Sequence, residues 1–264
     1  HAHAHVYANQ PDTPQRFHWG AVPRLGGLII AIAAFAMWFM AAVLDANGLR
    51  GDFHLSHSRA SLWVGALSPT ILAGLAEDLT HRVSARARLL LSLTGAVFAV
   101  YMLDLSIDRL GWDRLDAVWL ILPGVGVLLA VLAIAGLPHA FNLIDGYNGL
   151  AATVAIAICL ALVYVSLALG DRQLAVILLC LVGATVGFLV WNYPRGLIFA
   201  GDSGAYLWGG VIAIASITLV QRHVALSPWF PMLLLIYPVW ETVFSIYRKL
   251  VKGISPGVAD ALHF

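Results

Sequence analysis

Four carboxylates stand in three short polar stretches that interrupt long apolar runs: Glu77 with Asp78, then Asp145, then Asp202. Adjacent acids such as Glu77 and Asp78 suit a divalent cation, or a base whose proton affinity is raised by the charge beside it. They close an apolar run, and acids at a helix C-terminus oppose its dipole, so capping does not account for them. Arg82, Arg86 and Arg88 follow in the same stretch, enough positive charge for a phosphate or pyrophosphate. Gly201-Asp202-Ser203-Gly204 puts a carboxylate between glycines just before another apolar run. Mg²⁺ takes one or two carboxylates plus phosphate oxygens, which makes Asp202 the best placed single ligand; a tight Gly-Asp turn is the plain alternative. Phe199, three residues earlier, is placed to stack on a planar base.

Between Gly136 and Ala151 the chain carries Asn142, Asp145 and Asn148 at a spacing of three residues, which a helical turn would gather on one face. Gly146 and Gly149 beside them would let a ligand approach the backbone. In the N-terminal arm, Pro23-Arg-Leu-Gly-Gly27 reads as a turn, or through Arg24 as a phosphate contact. Glu241 falls within the last apolar run, with Arg248 as its expected partner. Asp104, Asp108, Asp113 and Asp116, with Arg109 and Arg114, read as a solvated connector.

The elements that must position these residues follow from composition. Of 264 residues 61% are hydrophobic and 11% charged, where soluble domains carry about 25% charged residues; a water-soluble fold is excluded. The expected fold is all-α, one polytopic transmembrane bundle of about eight spanning helices, with the lipid bilayer as a partner. The spans are Leu28–Leu44, Ser61–Leu75, Leu89–Leu103, Val118–Gly136, Ala151–Leu169, Leu174–Trp191, Ala205–Val220 and Trp229–Tyr247. They are longer and more continuously apolar than barrel strands of about ten residues. Residues 1–27 are expected to form a polar arm, 28–247 the transmembrane domain that carries the candidate site and 248–264 a tail. Trp63, Trp191, Trp229 and Trp240 lie towards segment ends, as interfacial aromatics do. The HAHAH start reads as a flexible stub, no cleavable signal is visible in the first 27 residues, and a fragment lacking a helix at each end is expected.

Eight spans place every loop dense in Asp, Asn and Gly on one side, which also holds nine Lys and Arg against six and so reads as cytoplasmic. Cys159 and Cys180 sit in apolar runs as packing residues, and a net charge of +1 gives no reason to expect nucleic acid. A cation-coupled transporter is the rival from another class, but transporters tend to put such acids at the bilayer midplane.

The wordings PRLGG, GLAEDLTHRVSARARLLL, HAFNLIDGYNGLA and FLVWNYPRGLIFAGDSGAY occur in the order found in polyprenyl-phosphate N-acetylhexosamine-1-phosphate transferases. From about His18 to His263 the chain resembles that superfamily, which includes phospho-N-acetylmuramoyl-pentapeptide transferase and the initiators of O-antigen and related polysaccharides. The resemblance implies an enzyme of the bacterial inner membrane with its site on the cytoplasmic face. It implies transfer of a sugar-1-phosphate from a UDP-N-acetylhexosamine to undecaprenyl phosphate, with release of UMP and need of Mg²⁺, Mn²⁺ being the alternative ion. A second copy of the chain is a candidate partner.

Carried over by motif, Glu77 and Asp78 take an acidic-pair position that is usually Asp-Asp, with Asp78 ranked first as base or metal ligand. Asn142 and Asp145 match an N-x-x-D-G motif, Asp145 with catalytic and metal-binding roles, and Asn148 stands where a second Asp is frequent. Asp202 matches the Mg²⁺ ligand and Phe199 the aromatic near uracil. Arg86 or Arg88 matches the pyrophosphate contact, Arg24 and Asn192 join the substrate-binding set, and His263 would be the first histidine of a cytoplasmic motif. The wording looks nearer the polysaccharide-initiating branch than the muramoyl-pentapeptide branch. A chain extended past Phe264 is therefore expected to transfer faster than the chain ending there, which parallel assays of the two would check.

Overall fold

The computed structural model describes residues 22–48, 55–122 and 124–253. In these residues the chain forms α1 (Gly26–Ala46), α2 (His57–Thr80), α3 (Ala85–Leu103), α4 (Asp113–Ile121) and α5 (Gly124–Ile144). It continues with α6 (Leu150–Ala168), α7 (Arg172–Asn192), α8 (Gly201–Arg222), α9 (Trp229–Leu234) and α10 (Ile236–Val251). Seven of them, α1, α2, α3, α5, α6, α7 and α8, are long and apolar enough to cross a membrane. The protein is a multi-pass, all-helical membrane protein.

A helix enclosed by other helices must be built from side chains small enough to let its neighbours approach. α8 is that helix. Every residue from Gly201 to Leu219 is buried, and α1, α2, α5, α6 and α7 pack around it. A Cβ on Gly74 of α2 would lie 2.7 Å from the Ser203 nitrogen, and one on Gly209 would lie 2.5 Å from Pro138 Cα of α5. Outside this contact layer, Trp38 of α1 is fully buried and donates its indole N–H to the Ile177 carbonyl of α7 at 3.0 Å. Trp63 packs edge-on to Trp38 with ring centroids 6.0 Å apart and is 3% exposed, so it is a core residue and not the interfacial anchor expected. Trp191, Trp229 and Trp240 are exposed.

Side-chain caps mark several helix starts. Ser56, Ser84 and Asp171 accept from the Arg59, Ala87 and Leu174 backbone N–H groups at the starts of α2, α3 and α7.

Two expected spans differ in form. The stretch Val118–Gly136 begins in α4 and continues in α5, which runs through Pro138 to Ile144. His139, Phe141 and Asn142 are therefore helical; neighbouring helices tolerate the proline in the packed interior. The stretch Trp229–Tyr247 is divided at Leu235 into α9 and α10, with Pro231 in one and Pro238 in the other. Pro238 has no N–H to offer the Leu234 carbonyl across Leu235, which accounts for the break, whereas Pro231 stands in the first turn of α9, where a proline is tolerated.

The connector before α4 is ordered where a solvated loop was expected. Arg109 donates to the carbonyls of Val220, His223 and Leu226 at 3.3, 3.2 and 2.7 Å, gathering the C-terminus of α8. Asp116 accepts from the Leu110 and Gly111 N–H groups, and the Trp119 indole donates to the Ile107 carbonyl. A guanidinium satisfies orphan carbonyls and suits the negative end of the dipole.

Gly74→Val should wedge α2 away from α8 and cost about 1–3 kcal/mol of stability by overpacking. Thermal unfolding of the detergent-solubilised variant against wild type would read this as a lowered Tm.

Candidate functional site

The first turn of a helix carries N–H groups with no partner inside the helix, and the first turn of α8 lies in the protein interior. Its N-cap, Ala200, has no side chain to offer. Asp78, at the end of α2, supplies the missing acceptors. Its Oδ1 accepts from the Asp202 N–H at 2.8 Å, and its Oδ2 accepts from the Ser203 N–H at 2.9 Å and the Ser203 hydroxyl at 2.7 Å. Arg24 Nε stands 3.6 Å from Oδ1, and the carboxylate is wholly buried. Negative charge is favourable at this end of a helix. Asp78 is expected from the sequence as a base or metal ligand; in the structure its oxygens also hold the start of α8. The sequence argument looked only at α2, whose C-terminus it closes, and not at the helix start it meets in space.

Asp202 turns its side chain the other way. Arg24 Nη2 donates to Oδ1 at 3.1 Å, and Arg88 Nη1, from the first turn of α3, donates to Oδ2. The Asp202 side chain is 4% exposed, while the Arg24 and Arg88 side chains are 24% and 27% exposed. Arg24 is fixed by backbone pairing: Phe199 N–H donates to the Pro23 carbonyl, and the Gly26 and Gly27 N–H groups donate to the Phe199 and Ala200 carbonyls, at 2.9, 2.9 and 2.8 Å. The glycine pair Gly26-Gly27 permits this approach, since a Cβ on Gly27 would meet the Gly204 backbone and one on Gly26 the Phe188 ring. Of Arg86 and Arg88, only Arg88 enters the cluster; Arg86 is exposed.

Asn142 lies in the last turn of α5 and Asp145 just beyond it, both half-buried. Burial pushes the Asp145 carboxyl up to about 7, the charges of Asp202 and Asp78 add to the rise, and Arg24 opposes it. The helical face expected to carry Asn142, Asp145 and Asn148 does not extend to the last of these. α5 stops at Ile144, and Asn148 donates to the Pro194 carbonyl at 3.0 Å. Gly149 has φ 79° as the first cap of α6, so its role is conformational, whereas a Cβ on Gly146 would meet open space. Asn192 was expected to touch substrate. It is buried, accepts from the Gly149 N–H at 2.6 Å and donates to the Ile198 carbonyl at 2.9 Å, so its amide ties the start of α6 to the loop before α8. Glu77 is half-buried and accepts from the Val83 N–H at 2.8 Å, holding the turn between α2 and α3. Phe199 is half-buried beside the cluster. His263 lies outside the described residues.

Three residues that sequence reasoning left out belong to the same cluster. Ser203 shares Asp78; Tyr206, fully buried, stands one turn along α8 from Asp202; and its hydroxyl lies 3.3 Å from His139 Nδ1 on α5. Spacing from Asp202 and Asn142 was the available signal, at i+4 and i−3. Away from the cluster, Glu241 and Lys249 line the buried face of α10 with Ser245.

Two guanidiniums, Arg24 and Arg88, stand against four carboxyls, Glu77, Asp78, Asp145 and Asp202, leaving two negative charges uncompensated when all are ionised. Among the described residues no three His, Cys, Asp or Glu side chains group closely enough to hold a metal by themselves. Hard oxygen donors, a charge deficit equal to one divalent cation and fewer than three protein ligands together fit an ion completed by phosphate oxygens, not one held in an all-protein cage.

Comparison with known proteins gives a consistent picture. A family described as Glycosyl transferase family 4 matches residues 60–220. A probable undecaprenyl-phosphate N-acetylglucosaminyl 1-phosphate transferase of Bacillus subtilis is 29% identical over 97% of this chain and 67% of its own length. A decaprenyl-phosphate N-acetylglucosaminephosphotransferase of Mycobacterium leprae is 30% identical over 93% of this chain and 66% of its own length. A phospho-N-acetylmuramoyl-pentapeptide-transferase of a Synechococcus strain is 36% identical, but over 50% of this chain and 38% of its own length. The chain thus spans about two thirds of the length of the first two relatives.

Removing the Asp78 carboxylate strands the Arg24 charge and the first N–H groups of α8. Asp78→Ala should therefore lower stability by about 3–5 kcal/mol, and Asp202→Asn, which leaves the α8 N–H groups capped and keeps one acceptor for the arginines, should lower it less; thermal unfolding of both in one detergent reads the difference.

Proposed function

Because the chain belongs to glycosyl transferase family 4, we propose that it transfers N-acetylhexosamine-1-phosphate from a UDP-sugar to undecaprenyl phosphate in the bacterial inner membrane, at its cytoplasmic face. The product is the lipid-linked first sugar of a cell-envelope polysaccharide. The observation that carries the reading is the grip of Arg24 and Arg88 on Asp202 at the end of the bundle where Asp145 and Asn142 also lie. The names of the two relatives matched along nearly the whole chain support the polysaccharide-initiating branch over the muramoyl-pentapeptide branch. Acids gathered at the bundle end, not at mid-depth, leave nothing that favours a transporter.

Both substrates are anions, and their approach is unfavourable unless cations offset the charge. An oxygen of the lipid phosphate attacks the phosphorus that bears the sugar. The bond from that phosphorus to the oxygen bridging the two phosphates breaks, and UMP leaves with the electron pair. Arg88 and Arg24, whose side chains are part-exposed, hold phosphate oxygens and keep the two groups in line. Asp202 and Asp145 are the residues assigned to a divalent ion, which when bound supplies charge neutralisation for the pyrophosphate and the departing UMP; Mg²⁺ is the ion proposed and Mn²⁺ its substitute. With the Asp78 oxygens taken up, Glu77 is the acid assigned to accept a proton from the acceptor phosphate. Asn142 and Asn148 are assigned to the donor sugar nucleotide and Phe199 to the uracil ring. A cavity of about 530 Å³ between α5, α8, α9 and α10, lined by apolar residues including Leu132, Ile217, Met232 and Val243, offers the acceptor's hydrocarbon chain a place in the bundle.

Incubating the detergent-solubilised protein with undecaprenyl phosphate and a panel of UDP-N-acetylhexosamines should release UMP with at least one of them, and EDTA should stop the release. Asp202→Asn should lower the rate by about 10³-fold at unchanged membrane insertion; full activity in that variant would remove the assignment.

A further inference from the structure

The imidazole of His139 is matched on one side and unmatched on the other. On α5 it precedes Asn142 by three residues, and on α8 its partner Tyr206 follows Asp202 by four. The two rings meet edge to face, centroids 5.2 Å apart at 72°, with the Tyr206 hydroxyl 3.3 Å from Nδ1. Close packing of Gly209 on Pro138 fixes the helices at this level. A phenol is the better donor and an imidazole nitrogen the better acceptor, so the O–H donates to Nδ1 and the ring proton resides on Nε2. That N–H is buried and has no hydrogen-bond partner among the described residues. The charges of Arg88 and Asp202 both act on the ring, so the unmatched donor stands inside the charged cluster and not in a remote part of the core. Buried donors are nearly always matched, and one that no group of the chain satisfies is suited to an acceptor brought from outside.

We infer that His139 is a substrate-binding residue whose Nε2–H donates to a phosphate oxygen of a bound substrate, with Tyr206 as the positioning residue that sets its tautomer. This rests on the transferase reading above, in which both substrates bring phosphate oxygens to the cluster. A neutral donor adds no charge there: it recognises the oxygen without competing with a cation for the carboxylates. Tyr206 acts only through the ring, by keeping the proton off Nδ1.

The test uses the full chain and three variants, His139→Ala, His139→Asn and Tyr206→Phe. KM and kcat are measured separately for the UDP-sugar and for undecaprenyl phosphate, and ¹⁵N-histidine NMR is recorded with each added alone. His139→Ala should raise KM for one of the two by about 10–100-fold, the worth of one hydrogen bond to a charged oxygen. His139→Asn, which keeps an N–H donor, should recover part of the loss, and Tyr206→Phe should give a smaller loss for the same substrate. The substrate whose KM moves, and whose addition shifts the Nε2 resonance, identifies whether the lipid headgroup or the nucleotide supplies the oxygen. Unchanged KM values in folded His139→Ala, or an Nε2 resonance indifferent to both substrates, would overturn the inference. So would a loss of Tm that moves both KM values together and is not recovered by Asn. A wild-type chain that releases no UMP from any UDP-sugar would count against the transferase reading, while the NMR titration still decides whether Nε2 meets a phosphate.

Discussion

The first turn of α8 starts inside the protein, and its N–H groups must find acceptors there. Unmatched amide donors in a low-dielectric interior are costly, and a carboxylate aligned with the positive end of the helix meets both the hydrogen-bonding and the electrostatic demand. Asp78 does so with three hydrogen bonds. Much of the site follows from that contact. It sets the end of α2 level with the start of α8, and the buried anion calls for a cation, which Arg24 provides from the segment before α1. The same guanidinium reaches Asp202, whose other oxygen is left for Arg88. Remote segments of the chain are drawn to one end of the bundle by a helix start that needed a cap.

Polar groups here divide by whether the chain itself satisfies them. Asp78, Asn192 and Arg109 have their hydrogen bonds matched by backbone or neighbouring side chains, and they hold helices in register. Asp202, Arg24 and Arg88 are matched by one another, with Asp78 as a second partner of Arg24, and both arginine side chains keep an exposed part. Such a cluster is arranged before substrate arrives, which lowers the reorganisation required when charge moves between phosphates. Burial, with a smaller contribution from the Asp202 and Asp78 charges, raises the proton affinity of Asp145, so a cation brought to this end of the bundle would be attracted and would also favour its ionised form.

The sequence was most legible where a property is local. Long apolar runs identify helices without reference to neighbours; Asp202 stood out as a carboxylate between glycines and Asp145 as one of three polar residues spaced by three, both unusual beside such runs. The convergence of loops on one side was legible from the alternation of spans. Long-range pairings were not. Nothing near Asp78 in sequence reveals that it caps a helix beginning at Gly201, and nothing near Asn192 reveals that both ends of its amide meet backbone. Arg109 looked like a solvated charge because its three carbonyl partners lie more than a hundred residues away. His139 and Tyr206 were passed over because each is unremarkable on its own helix, and only the packing of α5 on α8 makes them a pair. The division at Leu235 was hidden by hydropathy, which registers a proline as a mild interruption and not as a missing donor.

α8 is pinned at both extremities, by Asp78 at its beginning and by Arg109 at its close. A piston-like displacement along its axis would rupture both sets of hydrogen bonds at once, so the central helix behaves as a fixed axle. α10 is differently placed: it packs against α5 and α9, and is separated from α9 at Leu235. The apolar cavity beside these helices therefore has the pinned axle as one wall and the divided pair α9 and α10 as another.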